Sequence, residues 1–434
     1  MLKLLRCAPR LSALLCLLAL AACGRPEPAA APPRAPPTTT ITALVWAPDW
    51  PQEMQQVAAA FSRAHPDIKV ELQFMIGNSV EENLKPKVAA NQLPDLVSVN
   101  PNSYAAGLAD QGLLAELGGS AAWDNMLDVL KPDWTSPEKK RFGVAGGVAG
   151  GVAATLIYYN KDLFRQAGVE RLPTDFDQFL ALCERLKRAG ITPLVFDAGF
   201  PNMLGNGPFS FGFANNVAAG RPGWRAALAA GKLDLDTEAA ADIFGKIKQL
   251  AERGYVQKDF LNTGYDEGIQ LFAGGKVAMA FHGTWAAGRL MASKHFASGV
   301  FVPPWNAAGR AVVPVVGSET GFAVCETRNK RAALMLLDFI VGQGFALQQN
   351  KRQNVPPMKR VPGPVRNDAQ ITAYVAAVGA AAQTSGPYYS FLPAPAIELL
   401  HTLLHDVLAG QTSPRQAAAA LDASVRAAAA QDNR

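Results

Sequence analysis

Apolar positions along the chain switch repeatedly between alternating and helical spacing. Leu44, Val45 and Trp46 close a first strand, and a polar turn, Ala47 to Trp50, follows it. Met54, Val57 and Phe61 then recur at the spacing of one helix face. Pro66 lies past that helix, and Ile68 to Phe74 reads as a second strand. Strand, helix and strand in this order predict parallel neighbours joined by a right-handed crossover. A helix from Glu81 to Ala90 and a strand from Pro94 to Val99 extend the pattern, which exits through the polar run Asn100 to Tyr104. Alternating strands and helices define an α/β lobe.

A glycine-dense stretch, Gly143 to Gly151, separates this region from a second one. It is not a nucleotide loop, because no GxGxxG leads from a strand into a helix and no Lys-Ser/Thr closes it. The strand Ala154 to Tyr158 leads to Asn160 as a helix N-cap, and Gly168 ends that helix. Thr174 and Asp177 have the spacing of a capping box for the next helix, which runs to Gly190. Asp197 to Phe213 reads as a long loop rich in Gly, Asn and Phe. Thr237 opens a helix with Ile243, Phe244, Ile247 and Leu250 inward. Ile269 and Phe272 mark a short helix that Gly274 and Gly275 stop, and Val277, Met279 and Phe281 alternate as a strand. That strand ends at His282 to Trp285, where open α/β sheets bind ligands; Trp285 is either a ligand ring or a core cap. The tail reads as two helices, Ala396 to Leu408 and an Ala-rich one opened by Ser413 and Pro414.

A chain of 434 residues exceeds one ordinary domain, so two lobes are expected. Basic residues up to Arg10 precede the apolar run Leu11 to Leu20, which has the length of a secretory signal rather than a membrane span. It ends Leu20-Ala21-Ala22-Cys23, which resembles the bacterial lipobox and predicts a lipid on Cys23; an ordinary cleavage site is the alternative. Removing Lys3, Arg6 and Arg10 with the leader takes the formal charge from +5 to +2, too little for a nucleic-acid partner. Residues 23–40 form a Pro/Ala/Thr-rich spacer. Cys183 and Cys325 then remain, either paired or as two buried thiols.

Several stretches taken together resemble the bacterial extracellular solute-binding proteins, type 1, of carbohydrate ABC importers, the maltose-binding-protein class. They are His65 to Val70 with Phe61, Leu93 to Leu96, Gly112 to Leu117, Tyr158 to Phe164 with Gly168, and Pro173 to Phe176. Gly190 to Leu194, Phe272 to Met279 with Gly283 and Trp285, Gly321 to Val324, and Asn329 to Ala333 leading to Phe339 continue the set. The stretch Gly143 to Ala154 departs from the family, which often has a proline or a polar side chain there.

The resemblance implies a type II periplasmic-binding-protein-like α/β fold of two lobes, each a mainly parallel sheet flanked by helices. A signal peptide at 1–22 and the spacer at 23–40 would precede lobe 1, at 41–150 with 315–358, and lobe 2, at 151–314 with 359–434. Hinge crossings are expected near Gly147–Gly151, Val313–Gly317 and Pro357–Val361. The expected function is capture of a sugar between the lobes and delivery to membrane permease subunits, by a monomeric, lipid-anchored extracytoplasmic protein without cofactor or catalysis. Sugars present C–H faces that lie on rings and hydroxyl rims that need donors and acceptors. Trp285 and Trp50 are the first ring candidates, followed by Tyr388, Tyr389 and Phe200, with core packing the alternative for the tyrosine pair. Asp49, Asn100, Asn102, Asn202 and Glu319 are the hydroxyl-orienting candidates, Asp49 being alternatively a helix-start carboxylate. Trp46 is assigned to the core.

Rival readings are a metal-binding importer protein using the Tyr388 and Tyr389 phenolates, a glycerol-phosphodiester receptor, and a secreted polysaccharide-active enzyme. No histidine lies near the tyrosines in sequence. His401 and His405 lack the glutamate of a zinc protease and read as surface histidines, and neither paired carboxylates nor GxSxG marks an enzyme.

Overall fold

Alternating apolar and polar runs become two β-sheets with separate apolar cores in a computed structural model. It describes residues 39–48, 50–76, 79–146, 152–293, 295–318, 320–347, 356–360, 362, 381 and 383–432. The signal, spacer residues 23–38, Asp49, Glu319 and the crossing at Gly147–Gly151 lie outside them, whereas Thr39 and Thr40, expected in the spacer, already lie in the first strand, paired with Ile68 and Lys69.

The strands in chain order are β1 (Thr39–Val45), β2 (Ile68–Phe74), β3 (Leu96–Val99), β4 (Val152–Asn160), β5 (Leu194–Val195), β6 (Met279–Gly283), β7 (Ser298–Phe301), β8 (Val316–Ser318) and β9 (Gly321–Val324). The first sheet has the order β2-β1-β3-β9. As the strand–helix–strand pattern predicts, β1 and β2 are parallel, from Thr39 opposite Ile68 to Val45 opposite Phe74. The connecting helix Pro51–Ala64 buries Met54, Val57, Ala58 and Phe61 and starts on a proline, whose missing N–H costs nothing at that position.

The second sheet runs β5-β6-β4-β7, with β8 also paired to β4. Here the expected parallel pairing gives way: β5 and β6 are parallel, but β4 is antiparallel to β6, β7 and β8. A parallel neighbour needs a crossover back to the same end of the sheet. β4 instead runs straight into the helix Lys161–Gln166, and its neighbours arrive from distant sequence. Nearly every β4 residue is buried, which accounts for its unbroken apolar run.

One core gathers Met54, Phe61, Trp134, Phe142 and Leu336 around the first sheet. A second gathers Phe179, Phe209, Phe244, Trp305 and Leu400 around the second sheet, and a third cluster, with Leu156, Tyr158, Phe272 and Val277, also packs on that sheet. Val152 opposes Ser318 where β4 meets β8; Val152 packs into the first core and Ile157 of the same strand into the second. That strand pair therefore carries the chain between cores. Met358 pairs with Met126 as a single antiparallel bridge, and Val361 lies outside the described residues. Cys183 and Cys325 are free and buried, Cys183 in the second core and Cys325 in the first.

Local chemistry explains several sequence features. Trp134 is fully buried and its Nε1 donates to Ser318 Oγ at 3.0 Å. A Cβ on Gly143 or Gly321 would lie 2.4 Å or 2.6 Å from its ring. Asn160 Oδ1 accepts from the N–H groups of Asp162 and Leu163, an N-cap as expected. The capping box sits one residue later than the sequence suggests: Asp175 accepts from Gln178 N, while Gln178 Oε1 accepts from Thr174. Among the described residues no helix is long and apolar enough to cross a membrane.

Candidate functional site

A cavity of about 580 Å³ opens beyond the ends of β1, β3 and β6, a size typical of small-solute sites. Residues of the β1 exit, the helix Val80–Ala89, the β3 exit and Thr320 form one side. The opposite side comes from residues after β5, the start of the helix Tyr265–Ala273, Trp285, and the stretch from Tyr388 into the helix Ala394–Leu408.

Eight of the ten candidate site residues line this cavity: Trp50, Asn100, Asn102, Phe200, Asn202, Trp285, Tyr388 and Tyr389. The other two, Asp49 and Glu319, lie outside the described residues. The asparagines at the β3 exit each commit one amide N–H to a common carboxylate. Asn102 Nδ2 donates to Glu81 Oε1 at 2.7 Å, and Asn100 Nδ2 reaches the same oxygen at 3.2 Å. Asn100 Oδ1 accepts from Thr320 Oγ1 at 2.6 Å, and Asn102 Oδ1 caps the helix Ser103–Asp110. Ser79 Oγ donates to Glu81 Oε2 at 3.2 Å. Glu81 is thus the hub of this wall. In sequence it looks like an ordinary first-turn acid behind a serine cap.

Trp46 packs half-buried against the first core, as assigned from sequence, and also lines the cavity, whereas Trp50 keeps only 8% exposure within that core. The far wall is a ladder of rings. Phe200 meets Tyr265 edge-on at 5.3 Å, Tyr265 lies 5.0 Å from His282, and His282 lies 6.0 Å from half-buried Trp285. Burial, reinforced by the Arg289 charge, pulls His282 down to about 3, so it is neutral. Its Nδ1 accepts from Gly283 N. Tyr265 escaped the sequence reading because it opens a helix far from any strand end.

Tyr388 and His401 form a hydrogen bond of 2.7 Å at the floor. His401 is therefore no surface histidine; burial holds its imidazole at about 4, below the usual range, against the opposing pull of Glu398. Tyr388 is buried in the second core and its phenol is raised by desolvation. Tyr389 Oη donates instead to Ser318 O at 3.0 Å. The two phenols have different partners, an arrangement unlike a shared phenolate metal site, and no cluster of three or more His, Cys, Asp or Glu suited to a metal occurs among the described residues. Asn206 was hidden in the stretch read as a loop. It lines the cavity, and its buried Oδ1 has no hydrogen-bond partner among the described residues.

Two α/β sheets with a ring-lined cavity between their strand ends define a periplasmic-binding-protein-like molecule of type II. The chain belongs to the bacterial extracellular solute-binding protein family, whose match spans residues 47–344. It is 21% identical over 288 residues to a multiple sugar-binding protein of Streptococcus mutans, covering 64% of this chain and 66% of that protein. It is 28% identical over 155 residues to the melibiose/raffinose/stachyose-binding protein MelE of Bacillus subtilis, covering 34% of this chain and 33% of that one. Among solved structures, a chitin oligosaccharide binding protein superposes with a TM-score of 0.78 at 21% identity, covering 91% of this chain and 99% of that chain. RafE in complex with raffinose superposes with a TM-score of 0.75 at 22% identity, covering 90% and 100%. Each is named for binding rather than for catalysis.

Proposed function

We propose that this protein is a receptor that captures a sugar or oligosaccharide in the cavity and delivers it to the permease of an ABC importer. The cavity carries the reading: rings on both sides, Trp46 on one and Phe200, Tyr265 and Trp285 on the other, alternate with amide and carboxylate groups. Rings desolvate the C–H faces of a pyranose, and the polar groups replace the water lost from its hydroxyl rim. The sugars named for the similar proteins fit this chemistry.

In this reading the two sheets are the centres of two lobes, 41–150 with 315–358 and 151–314 with 359–434, and β4 and β8 act as hinge strands. Solute bridging both walls favours the closed arrangement, the hinge motion known for periplasmic binding proteins. A lipid on Cys23 and the spacer between it and the first strand keep the receptor beside its permease. Cys23→Ser should release the protein from the membrane fraction or leave its leader uncleaved; wild-type fractionation and migration would remove the anchor from the scheme.

Thermal-shift screening against a sugar panel, followed by calorimetric titration, tests the binding reading. A solute at a hundred times its dissociation constant stabilises by about 2.7 kcal/mol. Silence across mono- and oligosaccharides, with a clear response to another solute class, would overturn sugar capture.

A further inference from the structure

The cavity is acidic although the chain as a whole is basic. The full sequence carries a formal charge of +5, yet five carboxylates stand on the cavity wall: Glu81, Glu82, Asp266, Glu267 and Glu398. Neither lysine nor arginine stands among the described residues lining it. Glu398 is tied to Lys85 at 2.6 Å and Asp266 to Arg289 at 2.7 Å. Glu81 takes its hydrogen bonds from the neutral donors of Ser79, Asn100 and Asn102. Glu82 and Glu267 are exposed at the wall.

Asn206 makes an independent demand. The residue keeps only 8% exposure, and its buried Oδ1 is an acceptor with no donor among the described residues. A buried acceptor left unpaired is costly, and Asn206 lines the cavity, so a small turn of its amide toward a solute donor is favoured. The rings of Trp46, Tyr265 and Trp285 add faces that attract cations.

We propose that the captured solute carries a protonated amine, as in an amino sugar or an oligosaccharide containing one. The inference rests on the sugar-capture reading and narrows it. An ammonium offers three donors and no acceptor, the complement of carboxylates and an unpaired carbonyl oxygen. The same field repels sugar phosphates, uronic acids and glycerol phosphodiesters.

Calorimetric titration with matched pairs differing at C2 tests this: glucosamine against glucose, and the β-1,4-linked glucosamine dimer against cellobiose. The amine form is expected to bind at least tenfold more tightly than its hydroxyl partner. That preference should shrink as salt rises. It should also shrink severalfold in the double variant Glu82→Gln/Glu267→Gln, whose exposed positions leave the melting temperature unchanged. Equal affinity for amine and hydroxyl forms, or tighter binding of glucuronic acid, overturns the amine assignment and leaves sugar capture standing. Binding of choline with no response to any glycan supports cation selection and overturns sugar capture instead.

Discussion

Trp285 folds back over Gly283, where an added Cβ would lie 2.0 Å from ring atom Cζ3. The glycine is there for space, since its φ of −92° is open to any residue. Gly283→Ala should therefore leave the strand intact and push the ring off the cavity wall. We expect a loss of roughly 2 kcal/mol in solute affinity, the scale of a displaced aromatic anchor, with little change in melting temperature. Calorimetry of Gly283→Ala beside Trp285→Ala checks this; intact affinity with a collapsed melting temperature would make the ring a core cap. The sequence located Trp285 because a glycine-stopped helix and an alternating strand lead straight to it. It could not reveal that Gly283 serves the ring, because spacing says nothing about a side chain's rotamer. The same limit applies to Asn100 and Asn102: their partner Glu81 lies 21 and 19 residues away from Asn102 and Asn100 and meets them only in the fold.

At the scale of elements, the stretch after β5 departs furthest from its sequence pattern. Residues 202–218 form a continuous helical run that alternates α turns, Asn202–Leu204 and Ser210–Gly212, with π turns, Gly205–Phe209 and Phe213–Ala218. Glycines and Pro208 argue against a helix on propensity. Packing overrides that argument: a Cβ on Gly205 would lie 2.7 Å from the Tyr388 ring, and one on Gly212 2.5 Å from Ile243. The run begins beyond Asp197, where burial lifts the carboxyl to about 8 against the opposing effect of its own backbone N–H. The folded protein then holds a proton between about pH 4 and pH 8 that the unfolded chain has released. Stability from this group therefore falls as pH rises through that window. Asp197→Asn should stabilise the protein by about a few kcal/mol at pH 8–9 and hardly at all near pH 4, because each tenfold change in proton affinity is worth ~1.4 kcal/mol. Urea midpoints across pH measure it; a variant that tracks wild type at every pH would contradict the buried, protonated carboxyl. His282 acts in the opposite sense, losing stability as pH falls from about 6.5 towards 3, and remains in both proteins.

For the whole molecule, the strand and helix order foretold two α/β regions, while the antiparallel setting of β4 depended on contacts no local pattern encodes. One such long-range contact spans the cavity mouth. Lys85, on the helix Val80–Ala89, meets Glu398, on the helix Ala394–Leu408, at 2.6 Å across 313 residues of sequence. These helices belong to opposite walls, so the pair exists only while the walls are this close. Its side chains are 48% and 63% exposed, which limits such a bridge to ~0–1 kcal/mol. Through the bridge alone, Lys85→Met should weaken binding of an uncharged sugar by up to about fivefold at low salt and by much less at high salt, whereas an amine-bearing solute also gains from the unneutralised Glu398. Glu398 also contributes charge to the cavity wall, so a single variant cannot isolate the pairing. A double-mutant cycle with Glu398→Gln separates the two effects, and a coupling energy of ~0.5 kcal/mol that fades with added salt is expected. Zero coupling at low salt would mean that the bridge does not hold the walls together, and that closure depends on the solute alone.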